Sequence, residues 1–200
     1  GEVPLLEAVL PHVGHFQTRN RGTFGGSVGH ADPSAEIPLA LVTLGGTVEL
    51  TARRGVRRVP AAEFFHGVLT TARRADEMIT ALHWPRRRRR SGYAFEEVAQ
   101  RHGDFAIAAV ACMASLGEGG ELAELRLAFG GVEDRPILAD TSSFIGAPAD
   151  GASAAEIAAK VADGLEPMED IAASADYRRA LARTLGLSVL ERAFEQVAGS

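Results

Sequence analysis

Apolar residues recur at helical spacing through the first fifteen positions, at Val3, Leu5, Leu6, Val9, Leu10 and Val13, and Pro11 disturbs the last turn of that pattern. A second helix is predicted over residues 33–44, where an apolar run follows Asp32, Pro33 and Ser34. The period then changes to two. Residues 47–51 alternate as a strand, Gly55 separates them from residues 56–59, and the two together read as a hairpin. A short helical turn is expected at residues 60–65, and a further strand at 77–83, closed by Trp84 and Pro85.

The basic run at residues 86–90 breaks this pattern and divides the chain into two units, 1–88 and 89–200. Three strands are predicted beyond it. Residues 93–99 and 121–131 alternate, whereas residues 106–116 are almost continuously apolar, as in a strand buried on both faces. The remainder reads as helix: a short piece at 142–145, an alanine-rich segment at 153–162, and a long one at 175–197. That last helix carries Tyr177, Leu181, Leu185, Val189, Leu190 and Phe194 on one stripe. A three-stranded antiparallel meander covered by helices on one face is an α+β arrangement.

Composition narrows the class. With 200 residues, 46% of them hydrophobic, the chain can bury one substantial core or two small ones. No apolar run is long enough to span a bilayer and no secretory leader pattern opens the chain, so a cytoplasmic setting is the expectation. The single cysteine, Cys112, excludes an internal disulfide and is expected to be a small buried hydrophobe; an iron–sulfur cluster held by this chain alone is also excluded. A net charge of −5 gives no reason to expect nucleic acid, and the arginine run reads as a solvated loop.

Candidate chemistry concentrates in residues 19–36, where Gly22, Gly25, Gly26 and Gly29 accompany the hydroxyls of Thr23 and Ser27. A glycine-rich loop leading into a helix can bring backbone N–H groups close to an anion. No lysine follows the glycines and their spacing is not G-x-G-x-x-G, which sets aside a P-loop and a Rossmann nucleotide site. A tight turn with no ligand is the plain alternative. Asp32 is expected to cap the following helix, with Glu36 in its first turn. His30, Asp32 and Glu36 lack the further ligands of a metal centre, and His12 and His15 read as surface histidines. Tyr93 and Phe105 read, by pattern alone, as core aromatics.

The segment Arg19-Asn-Arg-Gly-Thr-Phe-Gly-Gly-Ser, continued by His30-Ala-Asp-Pro and Glu36, resembles the second flavin-binding motif of the FAD-binding subunit of the molybdenum hydroxylases, the family of carbon monoxide dehydrogenase and xanthine dehydrogenase. Two further segments match the same family in order: Tyr93-Ala-Phe-Glu-Glu-Val-Ala-Gln-Arg-His-Gly-Asp-Phe-Ala, and Ala173-Ser-Ala-Asp-Tyr-Arg-Arg. The resemblance implies the C-terminal part of a PCMH-type FAD-binding domain followed by a C-terminal domain of the carbon monoxide dehydrogenase flavoprotein type.

By the same resemblance, Thr23, Gly25, Gly26 and Ser27 would serve the FAD pyrophosphate or adjacent atoms, Asp32 and Glu36 the sugar or ribityl hydroxyls, Asp104 and Phe105 the ring system, and His30 would be a further cofactor-binding residue. Electrons would pass from [2Fe–2S] clusters on a small subunit, fed by a molybdopterin centre on a large subunit, to FAD and an external acceptor. Two departures stand out. The family often places lysine where Glu96 or Glu97 falls, and its first glycine motif, A-G-G-x-S, occurs nowhere in these residues. A second reading is therefore a truncated or degenerate relative that docks on partner subunits without flavin.

Overall fold

The computed structural model describes residues 1–199. The first unit opens with α1 (Pro4–Val9), in which proline occupies the first turn and Leu5 and Val9 are buried. The helix predicted as far as residue 15 stops early. Gly14 adopts φ 58°, and the chain restarts as the short α2 (Phe16–Arg19).

The glycine-rich stretch is not a loop: α3 spans Phe24–His30. Thr23 caps it, its Oγ accepting the Gly26 N–H at 2.9 Å, and Ala31 ends it at φ 55°. Gly25 and Gly29, four apart and so on one face, lie over Ile79; a methyl group at Gly29 would stand 3.3 Å from the Ile79 side chain. The missing side chains let the helix lie close to a strand, which outweighs the poor helix propensity of glycine.

α4 (Glu36–Leu44) begins three residues later than predicted, with Ala35 at its N-cap. Asp32 does not cap it. The Asp32 carboxylate instead accepts the Ser34 N–H at 2.8 Å, closing a turn ahead of the helix. Every residue of α4 is buried, so this helix is the centre of the molecule.

The predicted hairpin forms from β1 (Thr47–Ala52) and β2 (Gly55–Pro60) in antiparallel register. A two-stranded hairpin, β3 (Phe65–Gly67) with β4 (Thr70–Thr71), follows, and β5 (Met78–His83) completes the first sheet in the order β2-β1-β5. The second sheet comprises β6 (Ser91–Ala99), β7 (Ala106–Leu116), β8 (Leu122–Gly130) and β9 (Ile137–Leu138) in sequential order. It has four strands where three were predicted; β9 pairs through two residues, with Ala128 and Phe129.

Helices flank this second sheet on both faces, not one. Along β7, Ala109, Ala111 and Met113 pack into the core built with α1 and α4. Ala108, Val110, Cys112 and Ala114 enter the core shared with α5 (Gly151–Gly164) and α6 (Ala175–Ala198). Small side chains on both faces allow close approach from either side, and they account for the continuous apolar run.

In α6 the predicted stripe holds at Leu185, Val189, Leu190 and Phe194, whereas Tyr177 is half exposed. The buried cation of this helix is Arg178. Its Nη1 donates to the Ile107 and Gly131 carbonyls and its Nη2 to Asp170 Oδ1 at 2.7 Å, which ties α6 to the ends of β7 and β8.

Candidate functional site

A cleft of about 860 Å³ lies between the N-terminal helices and the turn joining β6 to β7. That size suits a cofactor-sized ligand. One side is formed by the segment from Leu10 to Arg21, the floor by α3 and the start of α4, and the other side by Gly103, Asp104 and Phe105.

The helical form of α3 decides which of the predicted residues face this space. Thr23, Gly26, Ser27 and His30 fall on one side of the helix and line the cleft. Gly25 does not; it lies on the opposite face against Ile79. Gly26 has a structural requirement of its own, because a Cβ there would stand 2.9 Å from the capping Oγ of Thr23. Asp32, Glu36, Asp104 and Phe105 also line the cleft. Phe105 is 61% exposed, so it is a wall of the cleft and not the core aromatic its pattern suggests, whereas Tyr93 is buried.

Long-range polar links hold the walls. His15 Nε2 lies 3.1 Å from Asp104 Oδ1, and His12 Nδ1 lies 3.0 Å from Glu97 Oε1. His12 is thus not a plain surface histidine. Its ring packs edge-on to Phe95, with centroids 5.0 Å apart. Arg19 Nη1 donates to the Leu10 and Val13 carbonyls at 2.6 and 2.9 Å, fixing the turn between α1 and α2.

The electrostatics of the floor are unusual for carboxyl groups. Burial, opposed by a backbone hydrogen bond and reinforced by the charges of Glu97 and Asp32, pushes Glu36 up to about 7. Burial also raises Glu97 to about 7 and lowers His12. Both partners of the His12–Glu97 contact are driven toward their neutral forms, so it is better described as a neutral hydrogen bond than as an ion pair. The sequence gives no sign that His12, read there as a surface histidine, and Glu97, noted there only where the family often has lysine, would meet, since they stand 85 positions apart.

The other charged cluster is structural. Glu77 receives hydrogen bonds from Arg57 and from the Arg74 N–H, which hold its carboxyl at about 2. Cys112 is buried and its thiol is pushed well above the ordinary range, which suits packing and not nucleophilic chemistry. Among the described residues no group of three or more His, Cys, Asp or Glu is placed to hold a metal ion, and no helix is long and apolar enough to cross a membrane.

The donor set fits one kind of ligand. Hydroxyls at Thr23 and Ser27 and the arginines at 19 and 21 suit an anionic portion, the carboxyls of Asp32 and Glu36 suit polyol hydroxyls, and Phe24, Phe105, Val13 and Ile37 offer apolar surface to a flat ring. FAD combines all three.

Residues 1–87 match the family model described as the FAD binding domain in molybdopterin dehydrogenase, and residues 93–195 match the CO dehydrogenase flavoprotein C-terminal domain. The glyceraldehyde dehydrogenase medium chain of Sulfolobus acidocaldarius is 34% identical over 98% of this chain and 69% of its own length. The nicotine 6-hydroxylase medium subunit of Paenarthrobacter nicotinovorans is 36% identical over 92% and 64%. Among solved structures, quinoline 2-oxidoreductase from Pseudomonas putida superposes with a TM-score of 0.89 at 37% identity, covering 98% of this chain and 68% of that one. Carbon monoxide dehydrogenase from Hydrogenophaga pseudoflava superposes at 0.92 with 27% identity, over the same shares of the two chains. The chain spans about two thirds of the length of these relatives. Cleft, fold and matches converge on one assignment: the chain belongs to the FAD-binding medium subunits of the molybdenum hydroxylases, the family of carbon monoxide and xanthine dehydrogenases.

Proposed function

We propose that this chain holds FAD in the cleft between α3 and the β6–β7 turn, as the electron-transfer component of a molybdopterin-dependent hydroxylase or dehydrogenase. The observation that carries the reading is that Thr23, Gly26, Ser27, His30, Asp32, Glu36, Asp104 and Phe105, all the residues assigned to the flavin except Gly25, line one cleft of cofactor size. Bound FAD would supply the redox chemistry, taking electrons from iron–sulfur clusters and releasing them to an external acceptor.

The chain's own residues bind and orient. Thr23, Ser27 and the helix around Gly26 meet the pyrophosphate, with Gly25 shaping the helix from behind and His30 closing its end. Asp32 and Glu36 meet the hydroxylated linker. Phe105, steadied through its neighbour Asp104, shields one edge of the ring from water. No nucleophile or acid–base pair is required of such a site, because electron transfer depends on distance and potential.

The partners proposed are a large molybdopterin-binding subunit and a small subunit with two [2Fe–2S] clusters, assembled in the cytoplasm. Medium chains of multi-subunit enzymes among the relatives support that assembly. The flavin-free docking alternative is not favoured, since the FAD-binding domain model spans residues 1–87 and the cleft is open. Anaerobic addition of the enzyme's substrate to the purified complex tests the proposal. Bleaching of the flavin absorbance, followed by its return with an oxidising acceptor, is expected, and an unbleached flavin in an otherwise active complex contradicts it.

A further inference from the structure

Between α1 and α2 the chain bends through residues 12–15 and there touches both units of the fold. Gly14 makes the bend at φ 58°, in the left-handed region that glycine enters without steric cost. Val13, Gly14 and His15 line the cleft, and the two histidines reach across to β6 and to the β6–β7 turn, residues 100–105. His12 Nδ1 lies 3.0 Å from Glu97 Oε1, and its ring packs edge-on to Phe95. The other oxygen of Glu97 is buried with no partner, so among the described residues His12 alone satisfies this carboxyl group. The same ring stacks on His102 of the turn, with centroids 6.0 Å apart.

His15 holds the turn itself. Its Nε2 meets Asp104 Oδ1 at 3.1 Å, and Gly103 has no side chain where the His15 ring comes closest: a Cβ there would stand 2.6 Å from Nδ1. Within the turn, the Asp104 N–H donates to the Arg101 carbonyl at 3.1 Å. The remaining side-chain contacts of His102 and Asp104 come from the first unit, so the position of the turn is set from across the cleft.

We propose that residues 12–15 are a bridge that fixes the β6–β7 turn, and with it Phe105, at the wall of the cleft. His12 is the anchor on β6 and His15 the hold on the turn. Both are positioning residues that act on the ligand through Phe105, in the way that supporting contacts lock the side chains of a binding site. The bridge stands on the chain's own geometry, whereas its action on a flavin ring rests on the FAD reading above.

Hydrogen exchange in the flavin-free assembly tests the bridge without reference to the ligand, with residues 100–105 followed and strands β7 and β8 as the internal control. Exchange in the turn is expected to rise about fivefold in His12→Ala and in His15→Ala, while the two strands keep their protection. In His12→Asn the carboxamide can take the place of Nδ1 toward Glu97, and most of the protection is expected to return. A turn unchanged by either alanine variant, or one that exchanges as fast in His12→Asn as in His12→Ala, overturns the bridge.

Visible spectra of the flavin-loaded assembly test the route through Phe105. Phe105→Ala is expected to shift the flavin absorbance by wetting the ring edge. His12→Ala and His15→Ala are expected to give the same difference spectrum in weaker form, and His12→Asn to cancel it. A turn that loosens while the flavin spectrum stays that of the parent overturns the action on the ring. An assembly whose turn loosens as expected but which carries no flavin supports the bridge and refutes the flavin reading instead.

Discussion

His15 Nε2 and Asp104 Oδ1 meet at 3.1 Å across 89 residues of sequence, and this contact spans the cleft from the start of α2 to the β6–β7 turn that carries Phe105. Both side chains are substantially exposed, so the link contributes about 1 kcal/mol at most. His15→Ala is expected to weaken FAD binding by up to about fivefold with little change in the unfolding midpoint. A fluorescence-quenching titration of FAD against parent and variant measures this. A loss of a hundredfold would show that His15 touches the ligand directly.

Arg178 is a stability residue. It is 2% exposed and satisfies the Ile107 and Gly131 carbonyls together with Asp170. Arg178→Ala leaves those carbonyls unpaired in the interior and is expected to cost about 3–5 kcal/mol, as breaking buried ionic networks does. Arg178→Lys retains the charge without the planar fork and is expected to recover only part of the loss. Denaturant unfolding of the three proteins decides it.

The pH dependence of stability has two opposing sources. Glu77 is held at about 2, chiefly by the side-chain hydrogen bond from Arg57, so it stabilises the fold above the ordinary carboxylate range and loses that contribution as pH falls toward 2. Glu36 and Glu97, raised to about 7, act in the reverse sense: the unfolded chain sheds their protons first, and stability declines as pH rises from about 4.3 toward 7. Glu77→Gln is therefore expected to flatten the acid limb of a urea-midpoint profile, and Glu97→Gln to raise the midpoint above pH 7. An acid limb unchanged by Glu77→Gln would contradict the first assignment.

Cys112 is buried between β7 and the α5–α6 layer. A thiol reagent is expected to leave it unmodified in the native protein and to label it fully in denaturant. Rapid native labelling would contradict the packing.

Much of this molecule was legible because its longest patterns are periodic. The apolar run of β7 announced a strand buried on both faces, and the stripe of α6 a helix lying on a sheet. The β3–β4 hairpin and β9 are too short to carry a period, and their pairing depends on neighbours remote in sequence. α3 was concealed by its glycines, which suggest a loop; the helix depends on the Thr23 cap and on close packing against Ile79 in β5. That error had a consequence in the site. A loop allows all of its residues to face one ligand, whereas a helix turns Gly25 and Gly29 to the strand and leaves Thr23, Gly26, Ser27 and His30 toward the cleft. The His12–Glu97 contact had no local signal, because two elements 85 residues apart create it.

FAD in this cleft is the central claim to test. Ser27 lines the cleft without entering either core, so Ser27→Trp should fill the space with an indole while leaving the fold intact. The measurement is flavin content per chain in the purified assembly, with circular dichroism as the control for folding. One FAD per chain in the parent and none in a folded Ser27→Trp is the predicted result. A parent without flavin, or a variant that retains its full complement, would contradict it.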